Sequence, residues 1–469
     1  MSRRISTPRM LAAAGLSALA LAPAAAQATT TPAALATSVS NATTYVRGLQ
    51  DPTSGGFVSP GLSNEWAFSA LAAAGVAAVD VLPPAPNNIP SKSGRATYRT
   101  TLSPASWPGT ASPPVTDFER ATLNAYSAGI DPARVAATQN LIADIASYWQ
   151  TASPGYWGTP GNFNGTVFGL LALAGAKTSA GAQRVPQALL DKSIATVRAN
   201  QHTDGGWNYP KAEGVPAQLA AASDIDMTGA TLASLCVSGV ANTDSAVVAG
   251  KNFLKGKLVN ATGAFNSSFG ANTDSNGWAV QGLDACGIPS QGTDFTTALG
   301  ATPIDYLVAQ QLSGGGFRYT TGSTPNAYAS IDALRALAGG GFSATPPVPT
   351  TPGEPRFAAS TAFVSGTTSK LALVVDDGSG TLKVCSVGVA PTTSTTTLGA
   401  VLTAATSAAT PSGCVTGSSP SSGTITTING VSNSGSSTWK ASIDNGTAAA
   451  AATGTTVSLG DTITLKYGV

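Results

Sequence analysis

Ser223-Asp224-Ile225-Asp226-Met227-Thr228-Gly229-Ala230 is the stretch of this chain that most invites a chemical reading. Two aspartates one residue apart can act as a general acid and the group that tunes it, because burial and a nearby charge hold one carboxyl protonated. The same pair can equally cap the helix that follows, a common use of aspartate at a helix start. Glu65 and Glu119 form a second pair by register, each ten residues before the glycine that closes its own apolar phrase. Carboxylates brought to one end of a bundle do acid-base work or bind a cation, whereas first-turn glutamates also compensate the helix dipole, and Arg120 stands next to one of them. The single histidine, His202, lies inside a glycine-rich turn. One loop histidine is a thin basis for a catalytic triad, and the chain carries no G-x-S-x-G elbow. Its glycines precede aromatic residues rather than a lysine, so no phosphate-binding loop is legible.

Six apolar, alanine-rich phrases closed by glycine must position these residues: Glu65 to Gly75, Glu119 to Gly129, Gly165 to Gly175, Gly229 to Gly239, Gly277 to Gly287 and Ala329 to Gly339. Each has room for about three helical turns. The closing glycines recur at roughly 46 to 64 residues, room for two helices and two connections, which predicts an array of helical hairpins. Five phrases follow a Gly-x-aromatic turn. Gln201 to Trp207 and Gln311 to Phe317 have the spacing Q-x-x-x-G-x-aromatic, Gln50 to Phe57 and Gln150 to Trp157 carry one extra residue, and Leu258 to Phe265 replaces the glutamine. Glycine permits a sharp exit from an outer helix, the ring packs over it, and glutamine bonds unpaired backbone groups.

These phrases resemble the QW motifs of squalene-hopene cyclases and, more broadly, the α/α toroid superfamily that includes protein prenyltransferase β-subunits and transcobalamins. Over residues 33 to 340 the resemblance implies six inner and six outer helices in a closed barrel. The cyclase acid motif D-x-D-D-T-A is matched by Asp224, Asp226 and Thr228, with Met227 in the place of its last aspartate. A prenyltransferase zinc site would need aspartate, cysteine and histidine, and His202 is the one histidine. By the transcobalamin resemblance His202 is also a candidate axial ligand to a corrinoid; the alternative is a surface loop histidine. Trp66, Trp157, Trp207, Tyr209, Trp278, Phe317 and Tyr328 fall near loop-to-inner-helix junctions, where a toroid opens, so they either pack the motif or line a mouth.

The ends say where such a barrel works. Arg3, Arg4 and Arg9 precede the apolar run Met10 to Ala22 and small-residue cleavage options, so residues 1–28 read as a secretory signal peptide and the protein as secreted. No second long apolar run follows, so no membrane insertion is expected after signal removal. Charged residues make up 10% of the chain and the formal net charge is +1, leaving no basic stripe for nucleic acid. Four cysteines allow three pairings, and CxxC spacing for zinc is missing. Cys236 and Cys286 end the fourth and fifth inner phrases, neighbours in a sequential toroid, and Cys385 and Cys414 share the C-terminal region; we expect one disulfide in each part.

Residues 341–356 are a proline-rich linker. Beyond it the pattern turns extended at 371–375, 382–384, 425–430, 439–443 and 463–467, with helical spacing at 397–406. The order I-x-x-I-N-G, W-K-A-S-I-D-N-G, then Gly460, Asp461, Ile463 and Tyr467 as G-D-x-I-x-x-x-Y, resembles the β-domain that follows the barrel in transcobalamin-like proteins. The expected fold is therefore multidomain: an all-α (α6/α6) toroid at 29–340 and a small β-rich domain at 357–469. The expected function is a secreted, non-catalytic protein holding a small ligand between the two, with a corrinoid as the candidate implied by the resemblance. Its contacts would come from Glu65, Trp66, Glu119, Trp207, Tyr209, Asp226, Trp278 and Tyr328 on the toroid and Trp439 and Asn445 on the β-domain. Alternatives are a terpene cyclase or prenyltransferase-like enzyme using Asp224 and Asp226, and an adhesion or structural module that leaves the cavity unused.

Overall fold

The apolar phrases fold as helices that are buried on nearly every side, which is why they show no polar stripe. The computed structural model describes residues 29–469 except 58–62, 102–113, 137, 152–153, 160, 210–218 and 360–363, and it also leaves the side chains of 63–65, 101 and 421 undescribed. The expected signal peptide lies outside the described residues. Six inner helices, Ser63–Ala73, Val115–Ser127, Phe163–Gly175, Ile225–Val237, Thr273–Ala285 and Ala327–Leu337, each pack on the next, and the sixth packs on the first. The ring is closed. Val115 meets Gly165 at one end of a neighbouring pair and Leu123 meets Gly175 at the other, so adjacent inner helices run parallel. Between the fourth and fifth, a Cβ on Gly282 would lie 2.2 Å from the Gly229 carbonyl oxygen; glycine lets the two backbones touch.

Outer helices Pro32–Gly48, Gly94–Thr101, Leu141–Ala146, Gln187–Ala199, Ser245–Lys255 and Pro303–Ala309 surround this ring. The motif glutamines join one repeat to the next. Gln201 donates to the Gly205 and Ala246 carbonyls at 2.7 and 2.8 Å, and Gln50 to those of Gly55 and Val81 at 2.8 and 3.1 Å. Gln311 donates to Gly315 at 3.0 Å and, across the seam, to Ser38 on the first outer helix at 2.9 Å. Gly315 has φ +86°, and a Cβ there would sit 2.3 Å from the Asn41 carbonyl oxygen, so the turn has room for glycine alone.

The C-terminal part is a six-stranded sheet in the order 449–450, 438–443, 462–468, 369–376, 382–389, 409–410. Strands 462–468 and 369–376 are parallel and the other pairs antiparallel. Helix Leu398–Ala408 covers one face, with Trp439, Leu465 and Leu373 in the core between them. On the opposite face Ala372, Val374 and Val384 join the hydrophobic core of the toroid. Polar contacts fix this interface. Arg184 bridges Asp131 at 2.7 Å and Asp444 of the β-domain at 3.1 Å, Lys370 pairs with Asp144 at 2.6 Å, and the Trp149 indole donates to the Leu382 carbonyl at 3.0 Å. Disulfides join Cys236 to Cys286 and Cys385 to Cys414. No helix among the described residues is long and apolar enough to cross a membrane.

After the sixth inner helix the chain turns at Gly339 (φ +68°) and enters the ring. Phe342, 1% exposed, lies 5.1 Å from the Trp278 ring, 6.0 Å from Trp66 and 6.1 Å from Phe168. The segment that follows is strapped along the closing-glycine end: Asp80 accepts from the Thr350 and Thr351 amides, and Arg95 donates to the Pro355 carbonyl at 2.9 Å.

Candidate binding site at the toroid mouth

The inner helices begin at the end of the ring opposite this strap, and their first turns gather carboxyl groups. Asp224 caps the fourth inner helix, accepting from the Met227 amide at 2.9 Å, and Asn272 caps the fifth by accepting from Ser275 at 2.8 Å. These caps set the next residues in place: Asp226 and Asp274 occupy the same position of adjacent parallel helices. Asp332 follows on the second turn of the sixth. Asp332 accepts from the Trp278 indole at 3.1 Å and from the Arg335 guanidinium. Arg335 is fully buried and stacks over Trp66 at 4.4 Å and Phe342 at 5.0 Å. The centre of the ring is thus an aromatic floor carrying one internal ion pair, with carboxyls above it.

Burial dominates the electrostatics. It pushes Asp226 up to about 7, with the Asp224 charge adding to the shift and Ser275 opposing it. Asp274 is pushed up to about 8 by burial and then by Asp332 and Asp226. Asp332 is also raised by burial, with Arg335 pulling against the shift. Tyr209 and Tyr319 stand on the rim, their hydroxyls raised by burial and by these aspartates. Asp226 Oδ1, Asp274 Oδ1 and Arg335 Nε and Nη1 are buried and have no hydrogen-bond partner among the described residues. A buried polar atom left unpaired costs about 1–3 kcal/mol, so four such atoms on three neighbouring inner helices mark a place that polar atoms from elsewhere would satisfy.

The structure therefore brings together Trp66, Tyr209, Asp226 and Trp278, and adds Asp274, Asp332, Arg335, Tyr319 and Phe342. Asp274 had a legible signal, since it precedes Gly287 by the same interval that separates Asp226 from Gly239. Tyr328 is half-buried on the first turn of the sixth inner helix, and the Glu65 side chain lies outside the described residues. Glu119 is not at the mouth. It is fully buried beside Trp157 and Gly169, both carboxyl oxygens lack a hydrogen-bond partner among the described residues, and burial raises it well above the usual carboxylate range. Trp207 is buried in its own turn, donating to the Val197 carbonyl at 2.9 Å, and Trp439 is buried in the β-domain, donating to Val431 at 2.8 Å. Asn445 lines a cleft between the two domains, away from the inner-helix starts. His202 is 6% exposed, with Nδ1 2.8 Å from the Ala221 carbonyl oxygen.

No family model matches the chain, and no curated protein matches it. Among solved structures, the apo type II terpene cyclase MstE from Scytonema is similar at 14% identity with a TM-score of 0.44, covering 65% of this chain and 98% of its own. Protein geranylgeranyltransferase-I of Candida albicans, complexed with GGPP, is similar at 13% identity and a TM-score of 0.37, over 64% of this chain and 83% of its own. Haptocorrin in complex with Cbi is similar over 94% of this chain and 99% of its own, at 12% identity and a TM-score of 0.34. These likenesses concern the fold.

Proposed function

We propose that this chain is an exported, non-catalytic carrier of a small ligand with a cationic head, taken at the carboxyl-lined mouth of the toroid. One observation carries the reading: Asp226 and Asp274 each present a buried, unpartnered oxygen beside a like-charged neighbour. An ammonium group placed between them would relieve the repulsion that raises both groups and would satisfy both oxygens. Asp332 has its own cation in Arg335, which leaves the other two for the ligand.

Alkene protonation is poorly served here. Asp224 is engaged as a helix cap, and Met227, fully buried, stands where the cyclase motif has its last aspartate, so Asp226 has no second free carboxyl from that motif beside it. A corrinoid, the ligand implied by the family resemblance, is the alternative occupant, and its capture would not run through His202, which is buried in its turn against Ala221. Export is supported by the leader-like first 28 residues and by two disulfides.

The test is native mass spectrometry and an ultraviolet-visible spectrum of protein purified from culture medium, followed by titration with a panel of small amines between pH 6 and 9. Binding should be one-to-one, release protons, and strengthen as pH rises through about 7 to 8, where both acids ionise. Asp226→Asn should weaken it roughly tenfold or more, as expected for loss of a charged partner. Affinity that is flat with pH, or unchanged in the variant, would refute the cationic reading; a corrin absorption band would replace it with a corrinoid one.

A further inference from the structure

A second concave site lies where the β-domain meets the start of the fourth outer helix. The cleft has a volume of about 280 Å³. One sheet face supplies its wall, because side chains two apart on a strand share a face and register aligns neighbours. Lys440 is paired with Lys466, Ser442 with Thr464, and on the next strand Thr464 and Lys466 lie beside Val374 and Asp376. All six line the cleft. Gln187 and Ala188, the first residues of helix Gln187–Ala199, close it from the toroid, and Pro186 at the cap position offers no side-chain acceptor to their amides.

Three features give this wall a sign. Neither Lys440 nor Lys466 takes part in an ion pair among the described residues, although they are cross-strand neighbours. Adjacent like charges on a sheet repel, so an anion between them is favoured. The start of a thirteen-residue helix adds unpaired amides and the positive end of its dipole. Thr464, only 8% exposed and lining the cleft, has a buried hydroxyl with no partner among the described residues. Asp376, the cross-strand neighbour of Lys466 and itself lining the cleft, offsets part of this positive charge and limits the site to a small anion, while Val374 and Leu382 provide an apolar surface. The Asp444-Asn445 turn on the far side is held rigid by the Arg184 bridge and by Asp444 accepting from the Thr462 amide at 2.9 Å.

We infer that this interdomain cleft binds a small organic anion, a carboxylate or phosphoryl group held by Lys440, Lys466, Thr464 and the helix amides, with an apolar portion on Val374 and Leu382. It is independent of the carboxyl-lined mouth, whose chemistry is opposite.

Isothermal titration of the full chain in low-salt, phosphate-free buffer, with benzoate and with inorganic phosphate as separate probes, tests it. Saturable one-to-one binding of either probe is expected, weakened roughly tenfold or more by Lys440→Ala with Lys466→Ala, and weakened measurably by the near-isosteric Thr464→Val. Tighter benzoate binding assigns a carboxylate ligand, and tighter phosphate binding a phosphoryl one. Asp226→Asn should leave either titration unchanged. Absence of binding by both probes, or binding that ignores the lysine substitutions, overturns the inference.

Discussion

Glu119 shows how a single residue's register can be read correctly and its surroundings missed. Ten residues before its closing glycine it could have faced the mouth; instead it points between the second and third inner helices, against Trp157. Burial raises its folded-state affinity for protons well above that of the unfolded chain, so folding takes up a proton at pH values between the two. Stability must then fall as pH rises from the unfolded value toward the folded one, by up to about 1.4 kcal/mol per pH unit for one proton. Glu119→Gln removes that proton, so in urea unfolding the variant should gain on the parent as pH rises above the ordinary glutamate range. An equal difference at all pH values would show that the carboxyl is not held neutral. Arg335 was equally illegible: three residues after Asp332 it reads as half of an exposed i,i+3 pair, and only a closed ring buries it.

At the scale of elements, the helices and the Gln-Gly-aromatic turns were legible because both are local. A closing glycine, a cap and a ring over a turn act within a few residues, and the strands near 369–376, 382–389, 438–443 and 462–468 announce themselves by their apolar content. Phe342 was not legible, since Gly-Phe followed by prolines has the composition of a linker, and its place in the ring depends on Trp66, Phe168 and Trp278 arriving from three different repeats. Phe342→Ala should cost about 3–5 kcal/mol through the cavity it leaves. Gln311→Ala should cost about 1–3 kcal/mol, because it unpairs the Ser38 and Gly315 carbonyls together. Chemical denaturation of both variants checks the order; a Phe342→Ala protein as stable as the parent would mean that the floor is not packed.

For the molecule as a whole, the question is whether toroid and β-domain behave as one body. Arg184 is 4% exposed in its side chain and holds one aspartate from each. Removing one partner of a buried ion pair leaves uncompensated charge, so Arg184→Ala should cost about 3–5 kcal/mol. Calorimetry should then resolve two thermal transitions in the variant and one in the parent. A single transition at unchanged temperature would assign the coupling instead to the apolar contacts of Ala372, Val374 and Val384 with the toroid. None of these pairings was legible, because Arg184, Asp131 and Asp444 carry no local pattern and meet only once both domains exist.

The seam through Gln311 and Ser38 gives the ring a birth order. These two residues stand 273 positions apart, so the outer flank of the first helix, which packs on its own repeat at once, meets its second partner only when the last repeat has been made. Five repeats must wait as an open arc with an unpaired flank, and the latch that completes them is the slowest contact to find. A chain crossing a membrane before it folds would arrive with both sides of that latch together, whereas one folding as it is synthesised would hold an exposed, apolar edge for most of its time on the ribosome.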